Sequence, residues 1–383
     1  MKNNQMPEIV SSQQTLLSLV ERLAREPLLA VDLEADSLHH YQEKVCLIQI
    51  STPTESVILD PLAIPDLSPL APILADPAIR KVFHGADYDI RSLYRDFAIE
   101  VQNLFDTMIA CQFLGEKEVG LAAVLFKRFG AELDKRYQKA DWSKRPLSDE
   151  MIEYAFRDTS LLIELYRQLT EELHDKGRLA WVEEESALLT AVRAGSRDAG
   201  PLFLRFKGAA KMDPRTLAVL EELLRFRDNL AKARNLPPFK ILGSDTLRQL
   251  AEKKPRRSGD LDGIAGLTAK LSNRYGREIL EATARGLSLS PDQLPSYPHP
   301  QRFVKDLLKG ERLKRLKLWR EAKAKKLGIE AGVLVNNSML ESVAASASHG
   351  KQGIAAIPVM KQWQKEAFGE ELMKLVNDPD ITA

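Results

Sequence analysis

Three β-branched runs, Leu28–Ala35, Val45–Ser51 and residues 56–60, follow one another with connections, residues 41–44 and 52–55, too short to hold a helix. Parallel neighbours need a crossover of roughly a dozen residues or more, so these runs should pair as an antiparallel meander. A purely parallel, doubly wound sheet is thereby disfavoured. A fourth apolar run at residues 80–84 leads into helical text: Asp87–Phe97, residues 106–114, residues 120–129, and a long segment from Asp149 to about Lys176. Strands and helices alternating in this way describe an α/β domain.

Beyond Met212 no further strand is legible. Residues 214–233, 244–253, 261–265 and 273–285 all read as helices, and residues 178–194 read as a helix leading up to them. Residues 289–300 carry prolines at 291, 295, 298 and 300, which a helix cannot accommodate, so this stretch reads as a linker. A second helical unit is expected from Phe303 to about Val376. Its WREAKAKKLGI, from Trp319, echoes FRDNLAKARNL, from Phe226, as a diverged internal repeat would. A chain of 383 residues that is 44% hydrophobic has enough apolar material for several cores.

Cys46 and Cys111 have neither a disulfide framework nor metal-ligand spacing, which points to a reducing compartment. No apolar run is long enough to span a membrane and the first residues are polar, so a cytoplasmic protein is expected. The net charge of +1 conceals an asymmetry: residues 1–200 carry 22 basic and 33 acidic side chains, net −11, and residues 201–383 carry +12. An acidic half suits cations and a basic half suits a polyanion.

Acidic residues recur at three places where structure would bring them together. In Leu29 to Ala35 a period of two puts Leu29, Val31 and Leu33 on one face and Asp32 with Glu34 on the other. Two carboxylates held side by side resist ionising together unless a cation neutralises them, although ordinary acids on an exposed edge strand would look the same. A second acidic place is the strand end and helix start containing Asp87 and Asp89. Asp87 suits a capping role there and Asp89 is the better metal candidate. The third is a helix on which Tyr154 and Asp158, four residues apart, share a face.

Taken in order, VDLEAD from Val31, FHGADYDI from Phe83 and YAFRDT from Tyr154 resemble the three exonuclease motifs of the DEDD superfamily. Tyr154 marks the tyrosine subtype, to which the ribonuclease D family belongs. VCLIQIS from Val45, LFDT from Leu104 and DWSKRPLS from Asp141 are supporting matches, and residues 211–287 and 309–343 resemble HRDC domains. The resemblance implies an α/β RNase H-like mixed-sheet exonuclease domain followed by two all-α HRDC-like domains, with boundaries at residues 1–195, 211–288 and 301–378. It further implies that Asp32, Glu34, Asp89 and Asp158 bind two divalent ions.

Hard oxygen ligands without a His or Cys cluster favour Mg²⁺ or Mn²⁺ over zinc. Asp32, Glu34 and Asp158 are assigned to the first ion and Asp32 with Asp89 to the second, and Tyr154 is expected to orient the attacking water. The implied function is 3′-to-5′ exoribonuclease trimming of transfer RNA precursors. The alternatives are a DNA exonuclease with the same fold and metals, or a catalytically dead RNA-binding adaptor. A helicase is disfavoured by the lack of a phosphate-binding loop. Residues 301–328, with eleven basic and three acidic side chains around Trp319, read as an RNA contact. Residues 36–41 depart from the family pattern; His40 and Tyr41 there read as loop residues, with contact to the terminal nucleotides as the alternative. His84 reads as a packing or turn residue.

Overall fold

The computed structural model describes residues 7–195, 200–298, 308–346, 357 and 360–377. Six strands, β1 (Glu8–Val10), β2 (Leu28–Ala35), β3 (Val45–Ser51), β4 (Ser56–Leu59), β5 (Arg80–Phe83) and β6 (Leu104–Asp106), form one sheet in the order β1-β4-β3-β2-β5-β6. The meander is present: β2 pairs antiparallel with β3, and β3 with β4. The remaining pairings, β1 with β4, β2 with β5 and β5 with β6, are parallel, so the sheet is mixed.

Around it lie α1 (Gln13–Leu23), α2 (Ala71–Ala75), α3 (Asp87–Phe97), α4 (Thr107–Leu114), α5 (Leu121–Phe129), α6 (Asp149–Ser160), α7 (Leu162–Asp175) and α8 (Leu179–Leu189). The long helix expected from Asp149 is two helices, because the backbone leaves helical geometry at Leu161, φ −114° and ψ −1°. Asp106 ends a strand and caps α4 instead of starting it, accepting hydrogen bonds from the backbone N–H groups of Met108 and Ile109. The sequence reading passed over β1, α1 and β6. Of these α1 had a readable signal, since Leu16, Leu19 and Leu23 form a buried stripe behind a Ser12 capping box.

The later helices are α9 (Pro214–Arg234), α10 (Pro238–Ile241), α11 (Ser244–Lys253), α12 (Ala269–Ser288), α13 (Lys309–Leu327), α14 (Ala331–Leu334), α15 (Asn337–Ser346) and α16 (Gln362–Val376). The helix expected at residues 261–265 does not form. A 3₁₀ turn at Ser258–Leu261 precedes Gly263 and Gly266, both at positive φ, and two such glycines break any continuing helix. The internal repeat is structural as well as textual. The helices α9 and α13 both end on left-handed residues, Asn235 and Gly328, and Arg227 and Arg320 donate to matching carbonyls, Leu242 at 3.3 Å and Val335 at 3.1 Å. Part of the expected linker is held down: the Tyr297 ring packs near Phe203, and its hydroxyl donates to the Leu204 carbonyl. The remainder, residues 299–300, and the expected start of the second helical unit at Phe303 lie outside the described residues.

The chain divides into two compact units. One takes the described parts of residues 1–35, 45–194 and 304–383, and the other takes residues 36–44 and 195–303. The second has its own core, built on Phe203, Leu217, Leu220, Leu247 and Ile279. Within it Tyr41 is committed to packing, its hydroxyl donating to Asp228 at 2.8 Å. In the first unit, Leu29, Val31 and Leu33 of β2 join α1 and α3 in a core on one sheet face. On the other face Ala30, Val82 and Phe105 form a continuous cluster with α4, α7, α8 and the helices from α13 onward.

That shared cluster is knit by specific contacts. The Trp363 ring stacks on Trp181, centroids 4.8 Å apart, and meets Phe113 edge-on. The Glu184 carboxylate accepts from the backbone N–H groups of Gln362 and Trp363, both at 2.7 Å, satisfying orphan donors at the start of α16. Arg178 bridges the Phe113 and Leu327 carbonyls. Gly115 is required by close approach as well as by its φ of +87°, since a Cβ there would lie 1.9 Å from the Gly328 carbonyl oxygen.

Candidate active site

Strand β2 delivers Asp32 and Glu34 to the sheet face opposite Leu33, and α6 brings Asp158 over them. Carboxylate oxygens of Asp32, Glu34 and Asp158 all lie within 4.8 Å of one another. Asp89, in the first turn of α3, is buried, and the charges of Asp32 and Asp106 both act on it. Its neighbour Asp87 behaves differently: the side chain is 55% exposed and is held by Arg91 in a two-pronged ion pair at 2.8 and 2.9 Å. Of these two acids only Asp89 is buried and acted on by the charge of Asp32, and it stands outside the group of three whose oxygens lie within 4.8 Å.

Among the described residues no lysine or arginine is paired with Asp32, Glu34, Asp89 or Asp158. Burial pushes Asp32 up to about 6. It also raises Glu34 well above the usual carboxylate range, with repulsion from Asp32, Asp158 and Asp89 adding to the effect. Asp89 and Asp158 are raised in the same way, burial first and Asp32 next. These shifts describe negative charge confined without a counter-charge. Oxygen donors alone, concentrated and unneutralised, fit a hard divalent cation.

Tyr154 lies one helical turn before Asp158 and lines the same cavity of about 400 Å³ as Asp32, Glu34 and Asp158. Its ring is wedged between Tyr137 and the buried Trp142, centroids 5.9 and 5.8 Å away. Burial raises its pKa, and the neighbouring carboxylates raise it further, so the hydroxyl keeps its proton. DWSKRPLS now has a physical role. Arg145 clamps Asp60 at 2.6 and 2.7 Å and also donates to the Trp142 and Cys46 carbonyls, which fixes the segment that carries Trp142 against the sheet. His84 lines the cavity with its Nδ1 2.9 Å from the Thr107 hydroxyl.

Two contributors were missed in the sequence. Asp106, inside LFDT, is buried, and its carboxylate accepts from the N–H groups of Gly85 and Ala86 at 3.0 and 2.8 Å as well as those of α4. It thus fixes the turn from which Asp89 is presented. Gln49, inside VCLIQIS, is fully buried directly across the ladder from Asp32. Both lay in motifs that had been recognised, but neither residue type announces a role.

A 3′-5′ exonuclease family model matches residues 7–174, and an HRDC model matches twice, at 216–283 and 309–376. Ribonuclease D of Zymomonas mobilis is 30% identical over 380 residues, covering 97% of this chain and 94% of that protein. The chain belongs to the ribonuclease D family. It is a 3′-5′ exoribonuclease, of a family that works with divalent metal ions. The crystal structure of Escherichia coli RNase D superposes with a TM-score of 0.74 at 25% identity, covering 97% of this chain and 99% of that one. The catalytic core of RRP6 from Trypanosoma brucei superposes at 0.63 with 30% identity, over 76% of this chain and 82% of that one. A mixed-sheet exonuclease domain with helical HRDC repeats is the architecture of this ribonuclease D family member.

Proposed function

We propose that this exoribonuclease trims structured RNA, transfer RNA precursors among it, with Asp32, Glu34 and Asp158 holding one Mg²⁺ or Mn²⁺ ion and Asp32 with Asp89 holding a second. The observation that carries the reading is the cluster of acids without a counter-charge, three of them within 4.8 Å. When bound, two such ions would supply charge stabilisation to a scissile phosphate and lower the pKa of a bound water.

The remaining work falls to the chain's own side chains. Tyr154 retains its hydroxyl proton and orients a water by hydrogen bonding, which excludes it as a nucleophile at neutral pH. Trp142 and Tyr137 fix the ring, so the hydroxyl is positioned before substrate arrives. The cavity that Tyr154 shares with the acids takes the 3′-terminal nucleotide, with Leu121 and Leu133 supplying apolar surface.

Structured RNA as the substrate class is supported by the Escherichia coli relative, described as an exoribonuclease involved in structured RNA processing, and by the net +12 of residues 201–383. Lys314, Lys317 and Lys325 are exposed along α13 and suit backbone phosphates. A cytoplasmic location accords with the buried free thiols of Cys46 and Cys111.

The test is degradation of a 5′-labelled transfer RNA precursor beside a DNA of the same sequence, with Mg²⁺ and with chelator. Stepwise 3′ shortening of the RNA alone, dependent on Mg²⁺, is expected. Equal shortening of the DNA would overturn the RNA assignment, and shortening in chelator would overturn the metal assignment.

A further inference from the structure

Gln49 occupies the centre of β3 with no exposed surface, and neither its Oε1 nor its Nε2 has a hydrogen-bond partner among the described residues. A buried amide left unpaired on both atoms weakens a fold, and an apolar side chain of similar size would pack there without that cost. Its location indicates what the amide could serve. Gln49 is the direct antiparallel partner of Asp32, so the two side chains leave the sheet on the same face. Two residues along the strand on that face, the Ser51 hydroxyl is 2.7 Å from that of Thr159, the residue after Asp158 on α6. Gln49 is thus enclosed between the sheet and α6 beside the acids. Among the described residues, a hydrogen bond from the backbone of Leu33 acts on the Asp32 carboxylate.

We propose that Gln49 is a positioning residue for the proposed metal site, its Nε2 donating to the Asp32 carboxylate when that carboxylate is engaged by cations. The inference rests on Asp32, Glu34, Asp89 and Asp158 being ligands. The chemistry explains the choice of an amide. A ligating carboxylate needs a donor to fix which oxygen faces the ion. A lysine or arginine in that role would neutralise the charge that attracts the cation, whereas a neutral amide orients the carboxylate and leaves its charge available.

The experiment is Mn²⁺ binding to the full-length protein by calorimetric titration, with melting temperature in chelator measured on the same samples. Gln49→Leu should melt no lower than wild type without metal, because an unpaired amide has been removed, and should bind Mn²⁺ about 10–100-fold more weakly. Gln49→Met, longer and more flexible, gives the same readout if the leucine variant does not fold. A folded variant with wild-type Mn²⁺ affinity overturns the proposal. Failure of both variants to fold also overturns it, because a residue that serves only to orient a ligand is dispensable in the metal-free fold. Asp158→Asn separates this inference from the reading beneath it. Unchanged Mn²⁺ binding in that variant means that the metal site itself is wrong, whereas loss there combined with wild-type binding in Gln49→Leu removes only the role of Gln49.

Discussion

The acid pocket and the seam that joins α13–α16 to the exonuclease sheet lie in the same compact unit and follow opposite physical rules. At the seam, aromatic rings and opposite charges are brought together. Trp363 stacks on Trp181 and donates to Glu185, Lys361 is paired with Glu185, and Glu184 caps α16. In the pocket, Asp32, Glu34, Asp89 and Asp158 lie without a basic partner among the described residues; burial raises all four, and the charge of Asp32 raises Glu34, Asp89 and Asp158 further. The contacts of the seam stabilise the fold, whereas uncompensated charge in the pocket works against it. The two HRDC repeats teach a related lesson, since the same order of elements closes its own core in one case and completes the exonuclease core in the other.

Removing the seam should have the largest effect. A chain ending after Pro298 keeps every acid and Tyr154 but exposes Phe113, Trp181 and the α7–α8 surface. It should lose cooperative melting of the exonuclease unit as followed by circular dichroism. A fragment of residues 200–298, with its own core, should still melt cooperatively. If the truncated chain melted like the full protein, the seam would be an accessory contact.

In the pocket, Asp158→Asn should abolish hydrolysis and at the same time raise the melting temperature in chelator, because one of the repelling charges is gone. A variant that lost activity and stability together would place Asp158 with the seam residues. Tyr154→Phe keeps the ring between Tyr137 and Trp142 but removes the proton-holding hydroxyl, so single-turnover hydrolysis should slow by about 10²–10⁴-fold with RNA affinity unchanged. Wild-type rates would make Tyr154 a packing residue.

Trp363→Ala at the seam should cost about 3–5 kcal/mol in denaturant unfolding while leaving the rate per folded molecule intact. A loss of rate in the folded fraction would show that the two regions communicate.

The smallest effect is a pH signature. Asp32 binds its proton more tightly when folded, at about 6 against an ordinary value of 3.8, so its stabilising protonation is complete below the ordinary value and lost as pH rises through 6. In chelator, wild type should therefore fall in stability relative to Asp32→Asn between about pH 4 and pH 7, and saturating Mg²⁺ should remove the difference. A constant gap across that range would mean that Asp32 is not confined as described.

Much of this was legible in the chain. The meander followed from connections too short for helices, and the ligand candidates followed from strand and helix periodicity read beside the three family motifs. What stayed hidden depended on tertiary context. The three-residue strands β1 and β6 carry too little pattern to read, and the break at Leu161 leaves no Gly or Pro behind. Two adjacent acids, Asp87 and Asp89, differ only in which way α3 turns them, and Arg91 marks the outward one by pairing with it. The burial of Gln49 becomes visible only once β3 is seen enclosed between β2, β4 and α6.

The most direct measurement follows a 5′-labelled RNA through single-turnover shortening by wild type, Asp32→Asn, Asp89→Asn and Asp87→Asn, with RNA affinity measured on the same preparations. The account predicts 3′-end removal by wild type and Asp87→Asn only with a divalent ion, none by Asp32→Asn or Asp89→Asn, and similar RNA affinity for all four proteins. Wild-type turnover by Asp32→Asn or Asp89→Asn, or hydrolysis by wild type in chelator, would contradict it.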